Sequence, residues 1–205
     1  HVPFGVFSPL RGEYLDLIAQ APLAPNIQTA FDIGTGSGVI AAILAKRGIP
    51  DIIATDTNPK AIACATANLE RLGLDKAVSI QSIDLFPETC ADLIVCNPPW
   101  LPAKPTSAIE TALYDPNHAM LTAFLNGVRK HLNPNGEAWL IISDLAEHLH
   151  LRDKDFLQQC FQTASLNVVD ILKTKPQHKK AIDESDPLAF ARNKETTYLY
   201  RLKAI

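Results

Sequence analysis

Apolar runs typical of β-strands alternate along the chain with helix-like segments, and turn-forming residues separate them. This alternation predicts a parallel sheet that is covered by helices. The predicted strands are Ile27–Ile33, Asp51–Thr55, Ala77–Gln81, Ala91–Cys96, Glu137–Ser143, Asn167–Lys173 and Thr196–Lys203. The predicted helices are Val39–Arg47, Ala61–Leu72, Asn117–Leu132 and Arg152–Ala164.

Several of these boundaries have specific start or stop signals. Gly48 and Gly73 follow the first two predicted helices, and glycine in this position ends a helix well. Asn58 and Pro59 form an N-cap followed by proline at the first helical position. The run Asn133-Pro-Asn-Gly136 predicts a turn between the third helix and the fifth strand.

Length and composition fit one α/β domain. The 205 residues suffice for a core on both faces of a sheet, and 47% hydrophobic and 20% charged residues are ordinary values. We expect residues 1–205 to form a single domain, although a start at His1 rather than Met leaves open that they are a fragment of a longer chain. The net charge of −3 gives no global basic signature for nucleic acid, but a local basic patch suffices for binding.

The cysteines predict reduced thiols and no metal centre. Cys64, Cys90, Cys96 and Cys160 form no Cys-x-x-Cys pair, and no histidine cluster completes a zinc pattern. Cys96 ends an apolar strand, so we expect a buried thiol and a reducing, cytoplasmic environment. No apolar stretch approaches the ~20 residues that span a bilayer, and no signal peptide is visible.

A glycine-rich turn, Asp32-Ile-Gly-Thr-Gly-Ser-Gly38, joins the first strand to the first helix. Glycines remove side chains where a ligand must approach the backbone, and this strand–turn–helix order places N–H groups at a helix start, facing outward. The turn predicts a cradle for a nucleotide-type cofactor. The alternative is a tight turn without a ligand.

Spacing and charge favour S-adenosylmethionine over a dinucleotide as that cofactor. The glycines follow the pattern G-x-G-x-G and not G-x-G-x-x-G. A carboxylate at Asp32 is poorly suited to a pyrophosphate but suits the ammonium and sulfonium groups of S-adenosylmethionine. Asp56, after the second strand, can bind both ribose hydroxyls, and Asp84, after the third, can accept a hydrogen bond from an adenine amino group.

A second motif, Asn97-Pro-Pro-Trp100, follows the fourth predicted strand. Tandem prolines fix the backbone and donate no hydrogen bonds, so the Asn97 side-chain oxygen and the Pro98 carbonyl can accept both hydrogens of one amino group. This would localise the nitrogen lone pair, and catalysis would then rest on in-line positioning without a general base. Trp100 offers a flat face for a planar target, the alternative being a tryptophan that fills a core.

The two motifs together resemble the class I S-adenosylmethionine-dependent methyltransferases, specifically the methyltransferase-small group with its N-P-P-aromatic motif. The resemblance spans roughly residues 4–143 and implies a Rossmann-like, doubly wound α/β fold, with a seven-stranded, mostly parallel sheet and an antiparallel last strand. Phe7, in Gly5-Val-Phe-Ser-Pro9, resembles an aromatic–proline element that lies over the cofactor, although a core role is the alternative. The cofactor contacts expected from the resemblance are Phe7, Asp32, Gly34, Thr35, Gly36, Gly38, Asp56, Thr57, Asp84, Leu85 and Asn97.

Two departures from the family pattern concern the substrate. Trp100 stands where tyrosine or phenylalanine is more usual. The run Tyr114–Met120 stands where glutamine methyltransferases have Glu-Pro and a glycine-rich stretch, and those glycines are missing. The favoured target is therefore an amino group of a base in RNA, and a protein glutamine is second. A non-catalytic domain that binds S-adenosylmethionine is third, and a dehydrogenase is a distant fourth.

The connection between the last two predicted strands is longer than the ~2–6 residues of most connections. If the sixth strand is parallel, its end lies at the cofactor edge of the sheet. We hypothesise that this region grips RNA, the alternative being a solvated charged loop. Its basic residues are Lys173, Lys175, His178, Lys179, Lys180, Arg192 and Lys194.

Overall fold

Seven strands form one sheet in the computed structural model, which describes residues 2, 6, 12–102, 114–176, 191 and 193–205. The strands are β1 (Thr29–Ile33), β2 (Asp51–Asp56), β3 (Val78–Ser82), β4 (Ala91–Cys96), β5 (Leu132–Ser143), β6 (Leu166–Thr174) and β7 (Thr197–Ala204). The helices are α1 (Glu13–Gln20), α2 (Val39–Lys46), α3 (Pro59–Arg71), α4 (Ala119–Val128), α5 (Leu145–His148) and α6 (Phe156–Thr163).

The strand order across the sheet is β3-β2-β1-β4-β5-β7-β6. Pairings from β3 to β5 are parallel, and β7 runs antiparallel to both β5 and β6. The predicted doubly wound sheet with an antiparallel last strand is confirmed, and β6 points the same way as β1. The order reverses between β1 and β4, and ligands bind at such a switch point, outside the carboxyl ends of the strands.

Hydrophobic side chains fill a layer on each face of the sheet. On one face α1, α2 and α3 cover residues such as Ile52 and Trp139, both 0% exposed. On the other face α4 and α6 cover residues such as Phe31 and Leu140. Each fully buried side chain of this size contributes about 1.5–3 kcal/mol to folding. The two layers therefore hold the carboxyl edge of the sheet as a rigid platform.

Local signals set the start and end of α3 as predicted. The Asn58 side chain accepts a hydrogen bond from the backbone N–H of Lys60 at 3.0 Å, and Pro59 is the first helical residue. Gly73, just past the helix, has a φ of 68°. This left-handed conformation ends the helix at the predicted place.

Two predictions about the region before β5 are wrong in detail. The single helix predicted at Asn117–Leu132 is a shorter α4 between 3-10 turns at Pro116–His118 and Arg129–His131. Asn117 and His118 have φ of 57° and 55°, which breaks the helical path ahead of Ala119. β5 begins earlier than predicted, at Leu132, but its pairing with β4 passes directly from Leu132 to Glu137. The predicted turn is therefore a bulge at the beginning of β5.

All four cysteines are free thiols, and Cys96 is buried as predicted. Burial, followed by the nearby charges of Asp32 and Asp115, raises the pKa of Cys96, so its thiol stays protonated. Within the described ranges, no cluster of histidine, cysteine, aspartate and glutamate could hold a metal ion. Among the described helices none is long and apolar enough to cross a membrane.

Candidate active site

The glycine-rich turn connects β1 to α2 and leaves open space above it. Gly36 has a φ of 55°, and a β-carbon at this position would meet no atom of the described residues within 4 Å. Gly38 has a different role, because its β-carbon would lie 3.1 Å from the β-carbon of Ala65 in α3. Gly38 therefore allows α2 and α3 to pack closely, whereas Gly36 borders the space that a ligand would fill.

The N–H groups of this turn are hydrogen bonded within the protein. Thr35 donates to the Thr55 carbonyl at 2.8 Å, and Gly38 donates to the Thr35 carbonyl at 2.9 Å. Gly36 donates to Asp56 Oδ2 at 2.9 Å. The expectation of N–H groups that face outward toward a ligand is therefore wrong for Thr35, Gly36 and Gly38. A pyrophosphate would need free N–H donors here, so the finding agrees with the preference for a different cofactor.

Asp32 lies beneath the turn and is fully buried. Its Oδ2 accepts hydrogen bonds from Thr35 Oγ1 at 2.6 Å and from the Ala41 backbone N–H at 3.0 Å, whereas Oδ1 has no partner in the described part of the chain. Burial raises the pKa of Asp32 to about 6 despite these two hydrogen bonds, and the charge of Asp56 adds to the increase. A cation bound nearby would stabilise the ionised form.

Asp56 at the end of β2 is half-buried and lies against the glycine turn. Its Oδ2 accepts from Gly36 and its Oδ1 accepts from the Asn58 N–H at 2.8 Å. Because each carboxylate oxygen can accept two hydrogen bonds, both retain capacity for a ligand hydroxyl. Asp56 thus holds the cradle through Gly36 and keeps acceptor capacity on both oxygens, and a contact with a ribose stays a prediction.

The other predicted cofactor residues lie at the same edge with varied exposure. Thr57 and Asp84 are exposed. Leu85 has a φ of 56°, and its carbonyl accepts a hydrogen bond from Thr55 Oγ1 at 2.7 Å, which ties the segment after β3 to the end of β2. Phe7 and the element around it lie outside the described residues.

Strand register brings the Asn-Pro-Pro-Trp motif beside the glycine turn. Ile33 of β1 pairs with Cys96 of β4, so Gly34 and Asn97 leave the sheet side by side. Asn97 is half-buried and Pro98 is buried. The two motifs, far apart in sequence, therefore border a single crevice.

Trp100 is held by contacts on more than one side. Its Nε1 donates to Asn97 Oδ1 at 2.9 Å. Its ring meets the edge of Tyr14 in α1, with 6.5 Å between centroids and an interplanar angle of 82°. The ring also packs against both hydrophobic layers, yet remains half-buried rather than fully covered. Trp100 is thus partly a core residue, and stacking on a target stays a prediction.

Tyr14 was not predicted from the sequence as part of the site; it is 2% exposed, and its hydroxyl interacts with the Asn97 side chain. It lies on α1, a helix that the sequence analysis did not predict. A signal for that helix exists, because Tyr14, Leu17, Ile18 and Ala21 are all buried and recur at helical spacing.

Asp115 and Met120, also missed, link the loop after Trp100 to the cradle. Asp115 is buried, and its carboxylate accepts the N–H groups of Met120 at 2.9 Å and Leu121 at 3.0 Å, which starts α4. The terminal methyl of Met120 lies 2.7 Å from where a β-carbon on Gly34 would be. Gly34 therefore makes room for a side chain of this protein and not only for a ligand.

Comparisons with known proteins find similarity to a methyltransferase family and to individual methyltransferases. The family described as methyltransferase small domain matches residues 5–172. A release factor glutamine methyltransferase of Cereibacter sphaeroides is 35% identical over 140 residues, covering 61% of this chain and 50% of that protein. A tRNA1(Val) (adenine(37)-N6)-methyltransferase of Cytophaga hutchinsonii is 35% identical over 134 residues, covering 61% of this chain and 56% of that protein.

Among solved structures, a ribosomal protein L11 methylase from Lactobacillus delbrueckii subsp. bulgaricus shares the fold. It has a TM-score of 0.63 and 20% identity, over 97% of this chain and 81% of that one. The chain spans about half the length of the two curated relatives above. The matched family covers most of the sequence and both motifs, so the chain belongs to the methyltransferase small domain family.

Proposed function

We propose that this chain transfers a methyl group from S-adenosylmethionine to a planar amino nitrogen. The observation that carries this proposal is the pairing of Ile33 with Cys96, which sets Asn97 and Pro98 beside the glycine turn. A methyl donor held by the turn would then lie next to the groups that would hold the acceptor. The family to which the chain belongs supports the same activity.

The residues of the crevice fit S-adenosylmethionine. The buried Oδ1 of Asp32, which accepts no hydrogen bond from the described residues, favours a positive charge nearby. No described residue fills the space beside Gly36, and both oxygens of Asp56 could accept from ribose hydroxyls. Asp84, which is exposed after β3, would accept a hydrogen bond from an adenine amino group. When bound, the cofactor would supply an electrophilic methyl group on a positively charged sulfur.

The acceptor amine would be held by Asn97 and Pro98. The Asn97 side-chain oxygen and the Pro98 carbonyl would each accept one hydrogen of the amino group, which directs the nitrogen lone pair away from them. The nitrogen loses a proton only once the new bond forms, so water suffices as the acceptor of that proton. Most of the rate acceleration would come from orientation.

A base in RNA is the substrate we favour. Lys173 and Lys175 are exposed at the end of β6 and so at the same edge of the sheet as Asn97. With about 4.8 Å between neighbouring strands, β6 is roughly 14 Å from β4, within reach of phosphates that flank a bound base. The tRNA methyltransferase relative supports this choice. His178, Lys179, Lys180 and Arg192 lie outside the described residues.

A protein glutamine is the second candidate substrate. The release factor glutamine methyltransferase relative favours it, as does a ribosomal protein uL3 glutamine methyltransferase that is 34% identical over 124 residues. A glutamine side chain carries a planar amino group next to a carbonyl, so the same clamp would serve. Trp100 would then pack on an amide and not on a base.

The test is methyl transfer from labelled S-adenosylmethionine into total RNA and, separately, into total protein. We expect label in RNA that is removed by ribonuclease and not by protease. Label in protein alone would contradict the RNA proposal and support the glutamine. Calorimetry with S-adenosylmethionine accompanies the assay, and no detectable binding together with no transfer would contradict the proposed activity as a whole.

Affinity for S-adenosylmethionine should depend on pH through Asp32. Its pKa of about 6 lies above the ordinary value because of burial. Protonation thus stabilises the free folded protein as pH falls through 6, whereas the bound cation favours the ionised form. We therefore expect the affinity to fall about tenfold between pH 7 and pH 5, in proportion to the ionised fraction. Calorimetry with S-adenosylmethionine between pH 5 and pH 7 measures this change in affinity.

The Asp32→Asn variant should abolish this pH dependence and bind S-adenosylmethionine at pH 7 more weakly than the original protein does at pH 5, because asparagine has no ionised form. The matched control is Asp92→Asn, because Asp92 binds Gln28 and Thr29 at the opposite edge of the sheet. That control should keep the full pH dependence. A pH profile that persists in Asp32→Asn would contradict the assignment to Asp32.

A further inference from the structure

Tyr14 and Trp100 contact the Asn97 side chain together. Trp100 Nε1 donates to Asn97 Oδ1 at 2.9 Å, and the Tyr14 hydroxyl interacts with the same side chain. The Tyr14 and Trp100 rings also contact each other edge to face. A residue of α1 and two residues of the loop after β4 thus form one closed cluster.

The indole N–H determines which way the Asn97 amide faces. An asparagine amide can turn over and exchange its oxygen and nitrogen, since the two ends have nearly the same shape. An indole nitrogen only donates, so it is compatible only with the orientation that turns Oδ1 toward it. That oxygen has a second lone pair for a target hydrogen. In the reversed orientation the Asn97 amide would point its NH2 group at the target amino group, and two groups of hydrogen-bond donors cannot bind each other.

Tyr14 favours the same orientation. Burial, and then the charge of Asp32, raise the pKa of Tyr14, whereas its hydrogen bond with Asn97 acts in the opposite direction. A bond that lowers the pKa of a phenol is one donated to its oxygen. Because Oδ1 of Asn97 accepts from Trp100, the amide nitrogen is the end that faces away from the indole and can donate to Tyr14, and the second lone pair of the oxygen is left for the target.

We propose that Trp100 and Tyr14 are positioning residues that hold the Asn97 amide with its oxygen toward the target amine. The inference rests on the proposed function, in which this oxygen accepts a hydrogen from the target. It also gives a reason for tryptophan at position 100. Phenylalanine lacks an N–H altogether, and tyrosine could donate only from the far end of its ring.

The cluster can be tested without substrate by NMR of the indole N–H protons. The chain has two tryptophans, so the resonance lost in Trp100→Phe identifies Trp100. In Asn97→Ala this resonance should move upfield and exchange faster with solvent. The resonance of Trp139, whose Nε1 donates to Glu137 at 3.2 Å, is the internal reference and should not move. A Trp100 resonance that is unchanged in Asn97→Ala would contradict the contact.

Activity is measured with labelled S-adenosylmethionine and the RNA or protein fraction that accepts methyl groups. At saturating concentrations of both, Trp100→Phe should lower the rate about 10- to 100-fold, as expected for a misoriented reacting group. The affinity for S-adenosylmethionine should be unchanged. Tyr14→Phe should lower the rate less, about threefold to tenfold, because the indole contact remains. Trp139→Phe removes the same atoms away from the crevice and should keep the full rate.

The Asn97→Asp variant, used as a second starting protein, separates the effect of amide orientation from the effect of ring stacking. In Asn97→Asp both side-chain oxygens accept, so there is no wrong orientation to prevent. Adding Trp100→Phe or Tyr14→Phe to Asn97→Asp should therefore lower its rate less than about twofold. An equal loss with and without Asn97→Asp would contradict the positioning role and assign the effect to lost ring contact.

The inference and the proposed function fail in different ways. Full activity in Asn97→Ala would overturn the proposed function. An inactive Asn97→Ala with fully active Trp100→Phe and Tyr14→Phe would overturn only the positioning role. Thermal unfolding checks that each variant is folded, and if Trp100→Phe is not, Tyr14→Phe with and without Asn97→Asp decides the question.

Discussion

Asn97→Ala is expected to lower the rate of methyl transfer about 10²–10³-fold while leaving the affinity for S-adenosylmethionine within about twofold. The magnitude is that seen when one oriented hydrogen-bonding group is removed from an active site. Without the side-chain oxygen, the acceptor amine keeps only the Pro98 carbonyl, and its lone pair is no longer directed at the methyl group. The rate is measured under saturating labelled cofactor and the binding by calorimetry.

The matched control is Asn133→Ala. Asn133 Nδ2 donates to Asp92 Oδ1 at 2.8 Å at the opposite edge of the sheet. Its loss should lower the free energy of unfolding by about 0.5–1.5 kcal/mol, since one half-buried hydrogen bond is removed, with no change in rate. Comparable rate losses in the two variants would mean that Asn97 acts through stability, which would contradict its place in the clamp.

Asp56→Ala is expected to weaken S-adenosylmethionine binding about 10²–10⁴-fold. Two hydrogen bonds from ribose hydroxyls to a charged group are lost, each contributing about 1.5–3 kcal/mol. The N–H groups of Gly36 and Asn58 lose their acceptor as well, so the cradle loosens. The rate at saturating cofactor should change far less than the affinity, because the amine clamp is intact.

The control for this variant lies on the same strand. Asp51 begins β2 at the opposite edge of the sheet and is exposed. Asp51→Ala removes the same charge from the same element and should bind S-adenosylmethionine like the original protein. Equal weakening in Asp51→Ala and Asp56→Ala would indicate a general effect of charge or of β2 stability and would contradict a ribose contact.

Elements with local signals were predictable from the sequence. β4 has the predicted bounds, Ala91–Cys96, because a continuous apolar run ends at an Asn-Pro pair. α3 begins at the predicted cap because Asn58 and Pro59 satisfy the helix start themselves. In such places the competing conformations are disfavoured by the residues alone, whatever packs around them.

Elements that depend on distant contacts were not predictable in the same way. The break before α4 arises because the Asp115 carboxylate accepts two backbone N–H groups while Asn117 and His118 take left-handed conformations. Tyr14 reaches Asn97 only because α1 packs on the face of the sheet that also receives Trp100. No short-range sequence pattern indicates which distant residue such a side chain contacts.

The sequence by itself determined that two motifs follow parallel strands, and therefore that both lie at the carboxyl edge of the sheet. It also determined the chemical types present, a glycine turn with acids and an Asn-Pro-Pro-Trp segment. Only the tertiary structure decided that β1 and β4 are neighbours, that three N–H groups of the turn are hydrogen bonded within the protein, and that Asp32 is buried with a raised pKa. Strand neighbours and burial are properties of the whole packed chain, because each depends on residues that are remote in sequence.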